Sequence, residues 1–283
     1  MNVETIDRVK ETLVHAGSSF SEGLKQAYRY AIARETNENA KWVLDSILEN
    51  ALIAEKQKSP LCDDTGVPHL FLEVGKNRAI TGELLSDIYL GVEQGLRTLP
   101  GRPMSINGTD IERLDQSGKL NQDPGAVKPA PLIVKIVDQP DVLRLHILLL
   151  GGGPAIRGMT YRVFHHHSID TIKDEIVNRA NEAVRLLGCA PCTLAVGIGR
   201  SQYEAVTMMM EAQVYGRHGV QNDIEKEITY RVNLSNIGAL GLGGDTTVLA
   251  TFLRVGSQRA SGVRIVSMRP CCCVEPRMAR VDL

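Results

Sequence analysis

The chain has 283 residues, 43% of them hydrophobic and 23% charged, with a formal net charge of -1. That length makes one large domain or two modest ones, with enough apolar residues for a core that needs no disulfides. Near-neutral charge without long single-sign blocks, 4% aromatic residues and no run near the ~18 apolar residues of a membrane span exclude a nucleic-acid surface and a transmembrane helix. The N-terminal stretch 1–17 is charged and lacks the apolar core and cleavage site of a secretory signal, so a cytoplasmic protein is expected.

Helical periodicity marks the first sixty residues. Ile6, Val9, Leu13 and Val14 form one apolar stripe, and a second pattern runs from Asn37 to Pro60 with Asn37 or Asn39 as N-cap. Cys62, Asp63, Asp64, Thr65 and Gly66 then form a turn before a strand at Leu70–Val74. Residues 83–99 return to a helical pattern, with Arg97 near its end. Residues 100–130 are rich in Gly, Pro, Asn and Asp and read as a long irregular connection, of the sort that often carries function. Two apolar strands, 131–138 and 141–150, are followed by a glycine turn at Gly151–Gly153. A helix over 168–188 precedes Cys189. A buried strand over 193–201, a helix over 203–216, a glycine-rich turn over 237–247 and strands over 248–256 and 262–268 lead to Cys271, Cys272 and Cys273. Helices and strands mix without regular alternation. The expected class is α/β, an irregular mixture in one domain over 1–283, with candidate lobes at 1–125 and 126–283.

In a cytosolic chain the six cysteines are expected as thiols or metal ligands. Cys62 lies in a polar turn, Cys189 at a helix-to-strand junction, and the triplet after a strand. Thiolates at element ends can converge on one point. They are the ligands of iron–sulfur clusters, and a cluster held by three cysteines leaves one iron open as a Lewis acid. Buried cysteines are also ordinary core residues, which is the favoured reading of Cys192. Cys189 and Cys192 alone, spaced as C-x-x-C, are a weak zinc signal because structural zinc takes four ligands. Three consecutive histidines, His165–His167, point in different directions and read as a solvated segment or helix start. Met208–Met210 read as helix packing. The GLGG stretch near Gly241 lacks the lysine of a phosphate loop.

Taken together, LCDDTG at 61–66, CAPCTLAVGIGR at 189–200 and NIGALGLGGDTTVLA at 236–250 resemble the α region of iron–sulfur tartrate dehydratases and class I fumarases, in that family's order and over most of the chain. The resemblance implies a 4Fe–4S cluster on Cys62, Cys189 and one of the C-terminal triplet. Cys273 followed by Arg277 fits the family spacing best, with Cys271 and Cys272 as alternatives. It also implies that two lobes enclose the cluster, that Asp64 is the catalytic aspartate beside it, and that Asp63 and Arg97 bind substrate. A guanidinium suits a carboxylate because it offers paired donors. The implied substrate is a small dicarboxylic or hydroxy acid.

Departures fall near the substrate motifs. Asp63 replaces the family glutamine, Arg200 stands at a family glycine, Val274 replaces a tryptophan, Pro154 follows the glycine triplet, and Gln258 stands near an expected histidine. An acid at Asp63 disfavours a second substrate carboxylate there, while Arg157 and Arg200 offer new anion contacts. The family's β region does not follow Cys273 before Leu283, so a separate β subunit and an α2β2 assembly with α–α contact are expected, with no nucleic-acid or membrane partner. The competing expectations are a divergent member with another substrate, a non-catalytic cluster or thiol sensor, and a zinc protein built on Cys189, Cys192 and the triplet.

Overall fold

The computed structural model describes residues 1–283. It is a mixed α/β structure with nine α-helices and two four-stranded mixed sheets. No helix is long and apolar enough to cross a membrane. The chain divides into two compact units, the first made of residues 1–19, 51–151 and 277–283, the second of 20–50 and 152–276. Each unit is assembled from separated stretches, which a single cut between residues 125 and 126 does not express.

In the first unit α1 (Val3–Ser18) packs on α4 (Gly82–Thr98). Asn2 and Thr81 cap these helices by accepting the Thr5 and Leu84 N–H groups. The sheet contains β1 (Val67–Gly75), β2 (Ile133–Val137), β3 (Leu143–Leu150) and β8 (Arg277–Asp282), in the order β2-β1-β3-β8. The consecutive strands β2 and β3 do not form a hairpin. Both flank β1, β2 parallel to it and β3 antiparallel. Alternate β3 residues Leu143, Leu145, Ile147 and Leu149 join Leu70 and Leu72 of β1 against Val9, Leu13, Ile88, Val92 and Leu96 of the two helices. The connection expected over 100–130 is indeed irregular, with only the short α5 (Asp110–Leu114) and a 3-10 turn at Pro124–Ala126.

The second unit holds α2 (Glu22–Arg34) and, after the short α6 (Gly152–Arg157), the strand β4 (Met159–Phe164). The glycine triplet thus turns the chain and also opens a helix. Pro154 is tolerated there because its missing N–H falls in the first turn, where no intrahelical bond is due. Then come α7 (Ile169–Arg185), β5 (Cys192–Gly199), α8 (Gln202–Tyr215), α9 (Asp223–Asn233), β6 (Val248–Val255) and β7 (Val263–Cys271). The sheet order is β4-β7-β5-β6. Every residue of β5 is buried. On one face Leu194, Val196 and Ile198 meet Ile176, Ala180 and Val184 of α7 and Ile228 and Val232 of α9. On the other face α8 lies directly on the strand. A Cβ at Gly197 would sit 2.1 Å from both the Ala205 carbonyl oxygen and the Met209 nitrogen, so the GIG sequence is what lets helix and strand backbones approach. The helix α3 (Glu38–Gln57) carries the boundary between the two units, and Asn37 caps it by accepting the Asn39 and Ala40 N–H groups.

The two sheets share a pairing pattern. Read from β2 and from β6, each runs parallel, antiparallel, antiparallel. In each, the start of the inner strand faces the end of its antiparallel neighbour: Val67 opposite Leu150, and Thr193 opposite Cys271. The turn before β1 and the exit of β3 therefore share one sheet end, as do the turn before β5 and the exit of β7.

Candidate active site

In the second unit that sheet end gathers the cysteines. The Cys273 N–H donates to the Cys189 carbonyl at 2.9 Å. The Tyr28 hydroxyl donates to the Cys273 carbonyl at 2.6 Å. Burial, and then the Cys273 thiol, push the Tyr28 hydroxyl well above its ordinary pKa, so it remains a donor. The Glu275 N–H closes a turn on the Cys272 carbonyl, and the buried Arg269 guanidinium pairs with the Glu275 carboxylate at 3.0 Å. The glycine-rich loop arrives at the same place, where the Leu240 N–H donates to the Ala190 carbonyl at 2.9 Å. Glu35 braces that loop by accepting the N–H groups of Asp245 and Thr246 at 2.9 and 3.1 Å. Cis peptide bonds precede Pro191 and Pro276.

Burial separates the six thiols. Cys189 is exposed, Cys62 and Cys273 are half-buried, and Cys192, Cys271 and Cys272 are buried. Burial, and then Cys272, push the Cys192 thiol far up, and burial, followed by Glu275, does the same to Cys271. Cys271 also donates to the Gln213 side-chain oxygen at 3.3 Å. Cys192 and Cys271 are therefore thiols sunk in the core, without an open face for an incoming group. In the triplet, the thiol not sunk in the core is that of Cys273.

In the first unit the corresponding sheet end carries the Cys62–Gly66 turn. Gly66 has φ +83°, and its N–H donates to Asp64 Oδ1 at 3.1 Å. The Arg102 N–H donates to Thr65 Oγ1 at 2.8 Å, and its guanidinium meets Asp63 Oδ2 at 2.9 Å. Arg277, at the start of β8, is buried and donates to the Asp64 carbonyl at 2.6 Å and the Leu149 carbonyl at 3.2 Å.

The model of the fumarate hydratase (Fumerase) family matches residues 6–282. The chain belongs to the fumarate hydratase family. Its curated relatives include a Methanocaldococcus jannaschii protein described as "Putative L(+)-tartrate dehydratase subunit alpha", 29% identical over 261 residues, which cover 88% of this chain and 87% of that one. The L(+)-tartrate dehydratase subunit alpha of Escherichia coli O157:H7 is 23% identical over 244 residues, 84% of this chain and 77% of that one. That of Escherichia coli K12 is 22% identical over the same coverage. The family is one of hydro-lyases, enzymes that add or remove water.

Within this fumarate hydratase family chain the expected site residues fall in both units. Cys62, Asp63, Asp64 and Arg97 belong to the first, and Cys189 and Cys273 to the second, which brings that pair together. No three His, Cys, Asp or Glu side chains form a ready-made metal-holding group. Arg97 is engaged elsewhere in its unit. Its guanidinium makes a two-pronged contact with Asp123 at 2.8 and 2.6 Å and reaches Glu93 at 2.7 Å. Besides Arg277, the arginine that meets the Cys62–Gly66 turn is Arg102, which sequence reasoning passed over. Tyr28 was passed over as well, and no local signal marks it, since it lies 245 residues from Cys273. The histidine run is structural at its first member: His165 is buried, with Nε2 on the Ser261 carbonyl at 2.8 Å, and Nδ1 accepts the His167 N–H ahead of the Ser168 cap of α7.

Proposed function

We propose that the chain is the α subunit of an iron–sulfur hydro-lyase acting in the cytoplasm on a small dicarboxylic or hydroxy acid of the tartrate or fumarate kind. The observation that carries this reading is the sorting of the thiols. The three that are not buried are Cys62, Cys189 and Cys273, and each follows or precedes a strand at a motif of the family. That donor set fits a 4Fe–4S cluster, which would be held by these three cysteines. When bound, such a cluster supplies an open, Lewis-acidic iron.

The chain's own residues supply orientation and charge. Asp64 is the candidate catalytic carboxylate, and its bond from the Gly66 N–H holds Oδ1 in a fixed direction for hydrogen bonding to a substrate hydroxyl. Asp63 and Arg102 form an exposed pair, worth little to stability, so a substrate carboxylate can displace Asp63 from the guanidinium at small cost. The same acid repels a second carboxylate at that spot, which favours substrates with one carboxylate bound there. Arg97 can grip a carboxylate only by exchanging Asp123 for it. The relatives are described as α subunits, which supports a separate β subunit and an α2β2 assembly with α–α contact.

The test is co-expression with and without the cognate β chain, followed by anaerobic assays on tartrate, fumarate and malate. Turnover of at least one acid that requires both chains is the expected result. Full turnover by the α chain alone, or no turnover of any acid by a cluster-loaded complex, contradicts the proposal.

A further inference from the structure

A fully buried arginine is expensive to hold in a core, where a leucine or methionine of similar length would cost nothing in desolvation. Arg277 is nonetheless 2% exposed, the largest of the fully buried side chains. Its Nη1 donates to the Asp64 carbonyl at 2.6 Å and its Nε to the Leu149 carbonyl at 3.2 Å. One planar group thus ties the Cys62–Gly66 turn to the last residues of β3. The chain opposite is cut to fit. A Cβ at Gly66 would lie 2.7 Å from Arg277 Nη2 and 2.8 Å from the Leu150 carbonyl carbon. Other bonds of the turn act on other groups: Gly66 N–H on the Asp64 side chain, Arg102 N–H on Thr65 Oγ1, and the Arg102 guanidinium on Asp63.

We infer that Arg277 is the positioning residue of this turn, and that its guanidinium, clamped on the carbonyls of Asp64 and Leu149, sets the directions of the Cys62 thiol and the Asp64 carboxylate. This inference rests on the proposed roles of those two side chains in cluster and substrate binding. Through its bonds to the Asp64 and Leu149 carbonyls, Arg277 acts on the backbone of the turn. A lysine cannot replace it, because a point-like ammonium lacks the planar fork that spans two carbonyls.

The experiment uses the full chain, reduced and cluster-free, as wild type, Arg277→Lys, Gly66→Ala and Cys62→Ser. Amide exchange is followed in residues 61–66 and, as an internal reference, in residues 88–96 of α4. Alkylation of Cys62 by iodoacetamide is followed against Cys189 in the same molecules. Iron is counted after anaerobic reconstitution. Arg277→Lys is expected to speed exchange in 61–66 about tenfold, the factor that corresponds to about 1.4 kcal/mol. It should speed alkylation of Cys62 but not Cys189, lower bound iron, and leave the α4 amides unchanged. Gly66→Ala, which keeps the arginine but displaces it, is expected to do the same, and stands in if Arg277→Lys does not fold. Unchanged exchange in 61–66, or equal acceleration in 61–66 and α4, overturns the positioning role and leaves a merely structural arginine. The cluster reading fails separately: Cys62→Ser retaining full iron sinks it, whatever Arg277→Lys does to the turn.

Discussion

The two units repeat one arrangement and decorate it differently. Each sheet pairs parallel, antiparallel, antiparallel, and each places a cysteine turn just before its inner strand, Cys62 before β1 and Cys189 before β5. The exits of the antiparallel neighbours diverge. After β7 the second unit continues into Cys272 and Cys273, whereas after β3 the first ends at Gly151. Where the second unit offers two thiols joined by a backbone hydrogen bond, the first offers one thiol, two carboxylates and an arginine-clamped turn. The frame fixes where a ligand can be held, and a few residues at the sheet end decide which chemistry each unit brings.

The comparison is broken most sharply by the thiols. Serine at Cys62, Cys189 or Cys273 is expected to reduce reconstituted iron to background, whereas serine at Cys192 or Cys271 leaves it in place. Iron and sulfide assays decide this, and retention in any of the first three variants removes that residue from the ligand set. The next effect concerns the buried ion pair that braces the second unit's cysteine turn. Glu275→Gln removes the carboxylate charge that faces the buried Arg269 and should cost about 3–5 kcal/mol in denaturant unfolding. In the first unit the comparable contact joins Glu73 to His146 at 3.2 Å. Burial pushes the His146 pKa down despite the raising effect of Glu73, so the imidazole is largely neutral and His146→Gln should cost less.

A pH effect belongs to the second unit. His218 is buried against Phe252 and bonded to Thr193 at 2.9 Å, and burial lowers its pKa from 6.5 to about 4. The unfolded chain binds this proton more readily than the folded one. The contribution is therefore complete above pH 6.5 and is lost as pH falls toward about 4, by up to about 3 kcal/mol. His218→Gln should flatten the fall in stability between pH 7.5 and 4.5, and an unchanged slope contradicts the assignment. The smallest effects are expected at the arginines. Arg102→Gln should raise KM with kcat nearly unchanged, and Arg97→Gln should raise it less. The reverse ranking would favour Arg97 as the substrate arginine.

Much of this was legible in the sequence. The strongly periodic helices α1, α4, α7 and α8 and the apolar strands β5, β6 and β7 stand where their patterns put them. The edge strands β4 and β8 escaped. MTYRVF does alternate, with Met159, Tyr161 and Val163 turned to the core, a signal that was missed, whereas RMARVD alternates too weakly to signal a strand and only its pairing with β3 makes it one. The helix α9 did carry a signal that was missed, the capping box of Asn222 and Glu225. At the site, motifs pointed to Cys62, Asp64 and Cys189. Family spacing already favoured Cys273 in the triplet, and burial agrees with it, whereas the Arg97–Asp123 pairing and the contact of Arg102 with the Cys62–Gly66 turn are visible only in the fold. Long-range contacts of that kind leave no local trace.

The central proposal is that the three accessible thiols hold one cluster. It is tested most directly by measuring iron, acid-labile sulfide and visible absorption on anaerobically purified protein. About four irons and four sulfides per chain, with a brown colour that fades in air, is the predicted result. A colourless, iron-free protein that also resists anaerobic reconstitution would contradict it.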